Sequence, residues 1–191
     1  SSLFWMGGRL ATDLVEVSHD PSCLDDGGFW AVSTTFENEF TAARFATVVN
    51  TPFPTTPWIP LKGAWSSSLS ADQYMAYVER IRCSVADGWV YQVNACRILS
   101  TKISKEISIA PLFSKILDKN PAPYASFLKL PDIEIASASP ELFLAREGSH
   151  IKTSPIKGTR KLSETGAAFS DKDRAENVMI VDLMRNDFGR I

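Results

Sequence analysis

The stretch SPIKGTRK, Ser154 to Lys161, sets a lysine between a rigid Pro-Ile and a Gly-Thr turn. Held in a pocket with its charge partly desolvated, Lys157 is a candidate nucleophile; on a solvated loop it is an ordinary cation. Three further stretches join polar groups to stiff backbone. Glu141 follows Ser139-Pro140 in SASPELF, either as a proton donor or as a first-turn residue of a short helix capped by Ser139. Asp173 and Glu176 are one helical turn apart, so they share a face. They read either as acids compensating a helix dipole or as hard oxygen ligands suited to Mg²⁺ held with water and an anionic substrate. Gln92 and Asn94 alternate with Tyr91, Val93 and Ala95, which puts both amides on one face of a strand. A carboxyl beside a lysine would pair a general acid with a nucleophile, each influencing the other's ionisation. Spacing alone does not show that the four stretches meet.

The elements that must position them can be read around these residues. Ser70-Ala-Asp-Gln73 is a capping box, and Tyr74, Val78, Ile81 and Val85 then repeat at helical spacing until Asp87-Gly88 ends the helix. Trp89–Leu99, WVYQVNACRIL, has the β-branched and aromatic content of a strand. APLFSKILDKN reads as a helix with Pro111 in its first turn, and NPAPY as a rigid turn. YASFLKL and IEIASA read as strands paired around Pro131-Asp132, and ELFLAREGSHIKTSPI as a hairpin turning at Glu147-Gly148. From Asp171 the chain reads as a helix, acidic in its first turn and apolar nearly all round, hence buried. Upstream, residues 1–50 contain short apolar runs broken at Gly7-Gly8 and Gly27-Gly28, with FWAVSTTF as a strand. The four prolines of Asn50–Gly63 mark a connecting segment without regular structure. This order of elements implies mixed α/β or α+β layers rather than Rossmann-type alternation.

Composition narrows the function classes. The 191 residues are 45% hydrophobic and 22% charged, enough for a sizeable core. A net charge of −2 offers no global field to gather nucleic acid or an anionic membrane. No apolar run approaches a membrane span, and the N-terminal residues lack the basic-then-apolar pattern of a signal peptide. Cys23, Cys83 and Cys96 are far apart and odd in number, which implies reduced, partly buried thiols and a cytoplasmic protein. His19 and His150 stand in polar surroundings and read as surface residues rather than zinc ligands.

Five motifs in this order resemble the chorismate-utilising enzymes, which include anthranilate, isochorismate, salicylate and aminodeoxychorismate synthases. They are YQVN (91–94), NPAPY (120–124), SASPELF (137–143), PIKGTR (155–160) and DRAENVMIVDLMRND (173–187). The resemblance covers residues 66–191 and implies an α+β fold of packed β-sheets flanked by helices. Residues 66–191 would be the N-terminal part of the chorismate-binding domain, and residues 1–65 an N-terminal segment of the same large domain. Lys157 implies the aminodeoxychorismate synthase branch, because the other three synthases typically carry alanine there. In that branch the lysine attacks C2 of chorismate and the C4 hydroxyl leaves. Ammonia then adds at C4, displacing the enzyme and giving 4-amino-4-deoxychorismate on the route to 4-aminobenzoate and folate. The resemblance gives Glu141 the general-acid role, makes Glu176 a Mg²⁺ ligand with Asp173 acting through water, and places Gln92, Asn94, Gly158 and Thr159 against substrate. Isochorismate synthases use a lysine base at the position of Gln92, and a glutamine cannot take that proton. Ammonia would come from a glutamine amidotransferase, separate or fused.

Two departures accompany the resemblance. The family domain continues past the position of Ile191 with a second acidic metal-binding motif, so this stretch alone is expected to be inactive. The segment between Thr159 and Asp173 is also shorter than in relatives. The alternatives are another chorismate-utilising enzyme, anthranilate synthase first, or a truncated, non-catalytic interaction protein.

Overall fold

The structure is a computed structural model that describes residues 1–158 and 170–190. The chain forms two compact units, Ser1–Trp58 with Ile109–Ile191, and Ile59–Ser108. The first is built on a six-stranded sheet. Its strands are β1 (Leu3–Met6), β2 (Arg9–Ser18), β3 (Phe29–Thr34), β4 (Phe40–Asn50), β7 (Tyr124–Leu130) and β8 (Ile133–Ser139). Their order is β3-β4-β2-β1-β7-β8, and every ladder is antiparallel. Alternation of α and parallel β is therefore absent, as the element order implied.

Local chemistry explains the hairpins. Gly7 and Gly8 take φ of +58° and +80°, the left-handed pair that a two-residue turn between β1 and β2 requires. β7 and β8 pair from Tyr124↔Ser139 to Leu130↔Ile133 around Pro131-Asp132. One face of this sheet carries the aromatic cluster Trp5, Phe53, Phe113 and Phe127, whose rings meet at 4.8–5.9 Å, mostly edge to face. Phe113 comes from helix α2 (Ala110–Lys119), which starts with Pro111 as its sequence suggested. That helix has no side-chain cap of its own. Glu134 on β8 supplies one, its Oε2 accepting the Ile109 N–H at 2.6 Å while Oε1 pairs with Lys129 Nζ at 2.5 Å. A second cluster gathers Ala11, Ala31, Ala43, Phe45, Leu128 and Leu130.

β9 (Leu142–Glu147) and β10 (His150–Ser154) form a separate hairpin, and helix α3 spans Asp171–Phe188. The hairpin turns through Gly148-Ser149, one residue later than its sequence suggested, because Glu147 still pairs with His150 and Gly148 takes φ +58°. α3 is correctly a helix, but it is not buried. Only Ile180 is buried, while Val178, Val181 and Leu183 stay 63%, 48% and 37% exposed. Apolar composition marks surface that wants a partner, and these described residues do not cover it.

In the second unit, helix α1 (Ala71–Ala86) carries the expected capping box, with Gln73 N–H on Ser70 Oγ and Ser70 N–H on Gln73 Oε1. The expected strand over Trp89–Leu99 is not formed. Only β6 (Leu99–Ser100) pairs, with β5 (Ser66–Ser67). β-propensity reflects packing against neighbours, and residues 89–98 have no partner strand among the described residues. Trp89 and Tyr91 accordingly stay largely exposed. The three cysteines are free. Cys23 is half-buried, whereas Cys83 and Cys96 are exposed rather than partly buried. Among the described residues, no helix is long and apolar enough to cross a membrane.

Candidate active site

The open end of the β9–β10 hairpin organises the sequence-marked residues. Ser154 pairs with Leu142, so Glu141 enters the hairpin immediately beside the point where Pro155-Ile156-Lys157 leaves it. Thr153 locks this end, its hydroxyl lying 3.1 and 2.7 Å from the Leu142 and Phe143 carbonyls. Glu141 is not in a helix. The Ser139 hydroxyl donates to its carbonyl at 3.0 Å and accepts its N–H at 3.4 Å, which makes a tight turn instead. Glu141 and Lys157 are both half-buried, so neither sits in bulk water.

The loop then runs onto the start of α3. Gly158 takes φ +82°, and a Cβ built there would lie 3.1 Å from Asp173 Cγ and 3.3 Å from Asp173 Oδ2. Only glycine suits both the backbone conformation and the approach. Asp173 is held in turn by Ser170, the α3 N-cap, which donates to Asp173 Oδ2 at 2.7 Å and accepts its N–H at 3.1 Å. Farther along the helix, Thr153 and Pro155 face Val181, Met184, Arg185 and Phe188 across a cavity of about 320 Å³. A larger cleft of about 780 Å³ lies at α2 and includes Trp5, Phe53 and Trp58, but none of the sequence-marked residues.

The structure thus brings together the lysine loop, Glu141 and the acidic start of α3. Gln92 and Asn94 belong to the other compact unit, where both are exposed. Thr159 lies outside the described residues. Two residues near the site were missed in the sequence. Ser170 had a visible signal, since S-D-K-D places a capping hydroxyl three residues before an acid. Asn177, whose Oδ1 is shielded without a hydrogen-bond partner, had none.

Asp173 and Glu176 are half-buried on adjacent turns of α3. The described residues contain no cluster of three or more His, Cys, Asp or Glu able to cage a metal. Two carboxylates fit Mg²⁺, which commonly takes one or two protein carboxylates and completes its shell with water and substrate oxygens. Glu176 is the better placed ligand, because Asp173 is already engaged by Ser170 and Gly158.

The class is α+β: an antiparallel sheet, with a lysine and carboxylates gathered where a hairpin end meets a helix start. A family model described as chorismate binding enzyme matches residues 17–191, and the chain belongs to that family. It is 38% identical over 158 residues to aminodeoxychorismate synthase component 1 of Salmonella typhimurium, covering 78% of this chain and 34% of that protein. Identity to the Bacillus subtilis protein of the same name is 36% over 140 residues, covering 68% and 29%. An anthranilate synthase component 1 of Haloarcula marismortui is 33% identical over 141 residues, covering 68% and 28%. The chain therefore spans about a third of the length of these relatives.

Proposed function

We propose that the intact protein converts chorismate and ammonia to 4-amino-4-deoxychorismate, with Lys157 as covalent nucleophile. The observation that carries this reading is the seating of the Lys157-Gly158 loop on Asp173 with Glu141 at the same hairpin end. The Lys157 amine bonds to C2 of chorismate, the ring double bonds shift, and the C4–O bond breaks. The Glu141 proton goes to the departing hydroxyl, which leaves as water, and the lysine nitrogen sheds a proton. Ammonia then bonds to C4, the double bonds shift back, and the C2–N bond to Lys157 breaks. Splitting one substitution into two displacements is what covalent catalysis supplies.

Gly158 lets the backbone approach Asp173, and the α3 N-terminus favours an anionic substrate nearby. Mg²⁺ bound by Glu176, with Asp173 acting through water, would supply charge neutralisation for a carboxylate. Gln92, Asn94 and Thr159 remain candidates for substrate contact. Ammonia would come from a glutamine amidotransferase, and the enzyme would work in the cytoplasm on the route to 4-aminobenzoate.

Anthranilate synthase is the second reading, favoured by the identity to the Haloarcula protein. Incubating the intact protein with chorismate, Mg²⁺ and an ammonium salt separates the two. Aminodeoxychorismate keeps its enolpyruvyl group, whereas release of pyruvate and anthranilate would refute the proposal.

A further inference from the structure

Two shielded side-chain polar atoms lack a hydrogen bond among the described residues, Arg44 Nε and Asn177 Oδ1. Arg44 Nε nevertheless has its counter-charge, Glu16 Oε1, at 2.7 Å. Asn177 Oδ1 has no such compensation, and a shielded acceptor without a donor is costly to keep. The position of Asn177 indicates where a donor would come from. Asp173, Asn177, Val181, Met184 and Phe188 follow the spacing of one helix face on α3. Asp173, at one end of that stripe, meets Gly158. Val181, Met184 and Phe188, at the other, face Thr153 and Pro155 across the small cavity. Asn177 therefore lies between two contacts with the 153–158 stretch, on the side of the helix that faces the lysine loop. Lys157 is half-buried and has no hydrogen bond or ion pair among the described residues. An unpaired acceptor and an unpaired donor thus occupy facing elements.

We propose that Asn177 is a positioning residue whose amide oxygen accepts a hydrogen from the Lys157 side-chain nitrogen and aims that nitrogen into the site. The inference deepens the proposed function and rests on its reading of Lys157 as the nucleophile. A neutral acceptor suits this task. It fixes one N–H and leaves the lone pair free to point at substrate, whereas a carboxylate there would stabilise the ammonium form, which has no lone pair. The two carboxylates of this helix start, Asp173 and Glu176, flank the amide without replacing it.

A double-mutant cycle in the intact protein, with Asn177→Leu and Lys157→Met read by urea unfolding, tests the pairing without any substrate. With Lys157 present, Asn177→Leu is expected to lower the urea midpoint, because it leaves the donor unpaired. In the Lys157→Met background the same change removes an orphan acceptor and is expected to hold or raise the midpoint. Equal shifts in both backgrounds would overturn the inference. Should Asn177→Leu fail to fold, Asn177→Ser, which withdraws the acceptor with less disturbance, enters the same cycle with the same two outcomes. The kinetic counterpart is the chorismate adduct on Asn177→Leu. Its formation should slow about 100-fold, as a misplaced reacting group does, with half-saturating chorismate kept within roughly two-fold. An unchanged adduct rate would also overturn it. Coupling in the cycle without any adduct in the wild-type protein would sink the reading of Lys157 as nucleophile and leave the pairing standing.

Discussion

Gly158→Ala probes the contact on which the site depends. At φ +82° an alanine pays the left-handed penalty of about 1–2 kcal/mol. Its Cβ would also lie 3.1 Å from Asp173 Cγ, so Asp173 must retreat. Retreat breaks the 2.7 Å bond to Ser170, and losing such a cap costs about 0.5–2 kcal/mol. The sum, about 2–4 kcal/mol, disfavours the seated loop by roughly 30- to 1,000-fold. The loop can lift without unfolding the sheet, so the loss should fall on chemistry first. Rates of adduct formation with chorismate, read by intact mass, should drop within that range while circular dichroism stays unchanged. Adding Asp173→Ala relieves the overlap but not the backbone term, so a covalent rate measured in the double variant should recover only partly. A Gly158→Ala protein with wild-type adduct rate and stability would refute the claim that this loop must sit on α3.

Three further outcomes follow from the same structure. Glu134→Ala removes the acceptor for the Ile109 N–H and the partner of Lys129 and should cost about 1.5–3 kcal/mol in urea unfolding; an unchanged midpoint would contradict its capping role. Ser70→Ala should destabilise α1 by about 1 kcal/mol, seen as faster amide exchange in its first turn, and unaltered exchange would count against the capping box. The Ser22 backbone N–H and hydroxyl hold the Asp20 carboxyl below its usual value, so that cap is fully present above about pH 3.8 and lost as pH falls through the lowered value. A Ser22 amide resonance that does not move on acidification would contradict it.

Elements with local determinants were legible in the sequence. Ser70 and Gln73 cap α1 because both partners lie within one turn, and Gly7-Gly8 closes a hairpin because the turn needs positive φ twice. Failures came where a neighbour decides. Trp89–Leu99 has strand composition but lacks a ladder partner, and α3 has core composition without a covering layer among the described residues. The site divides in the same way. Lys157, Glu141 and Asp173 announced themselves by type and setting, yet their meeting depends on the Leu142↔Ser154 register and on Gly158 reaching α3 across an intervening segment. No spacing rule encodes either contact. Asn177 was invisible because an asparagine after a glutamate in a helix is unremarkable until its oxygen is found shielded without a donor.

The most direct test of the central claim is peptide mass spectrometry of the intact protein quenched during reaction with chorismate and Mg²⁺. The account predicts that the peptide bearing Lys157 gains the mass of chorismate less one water, and that Lys157→Ala abolishes the gain. Product formation with no modified Lys157 peptide, or an undiminished adduct in Lys157→Ala, would contradict it.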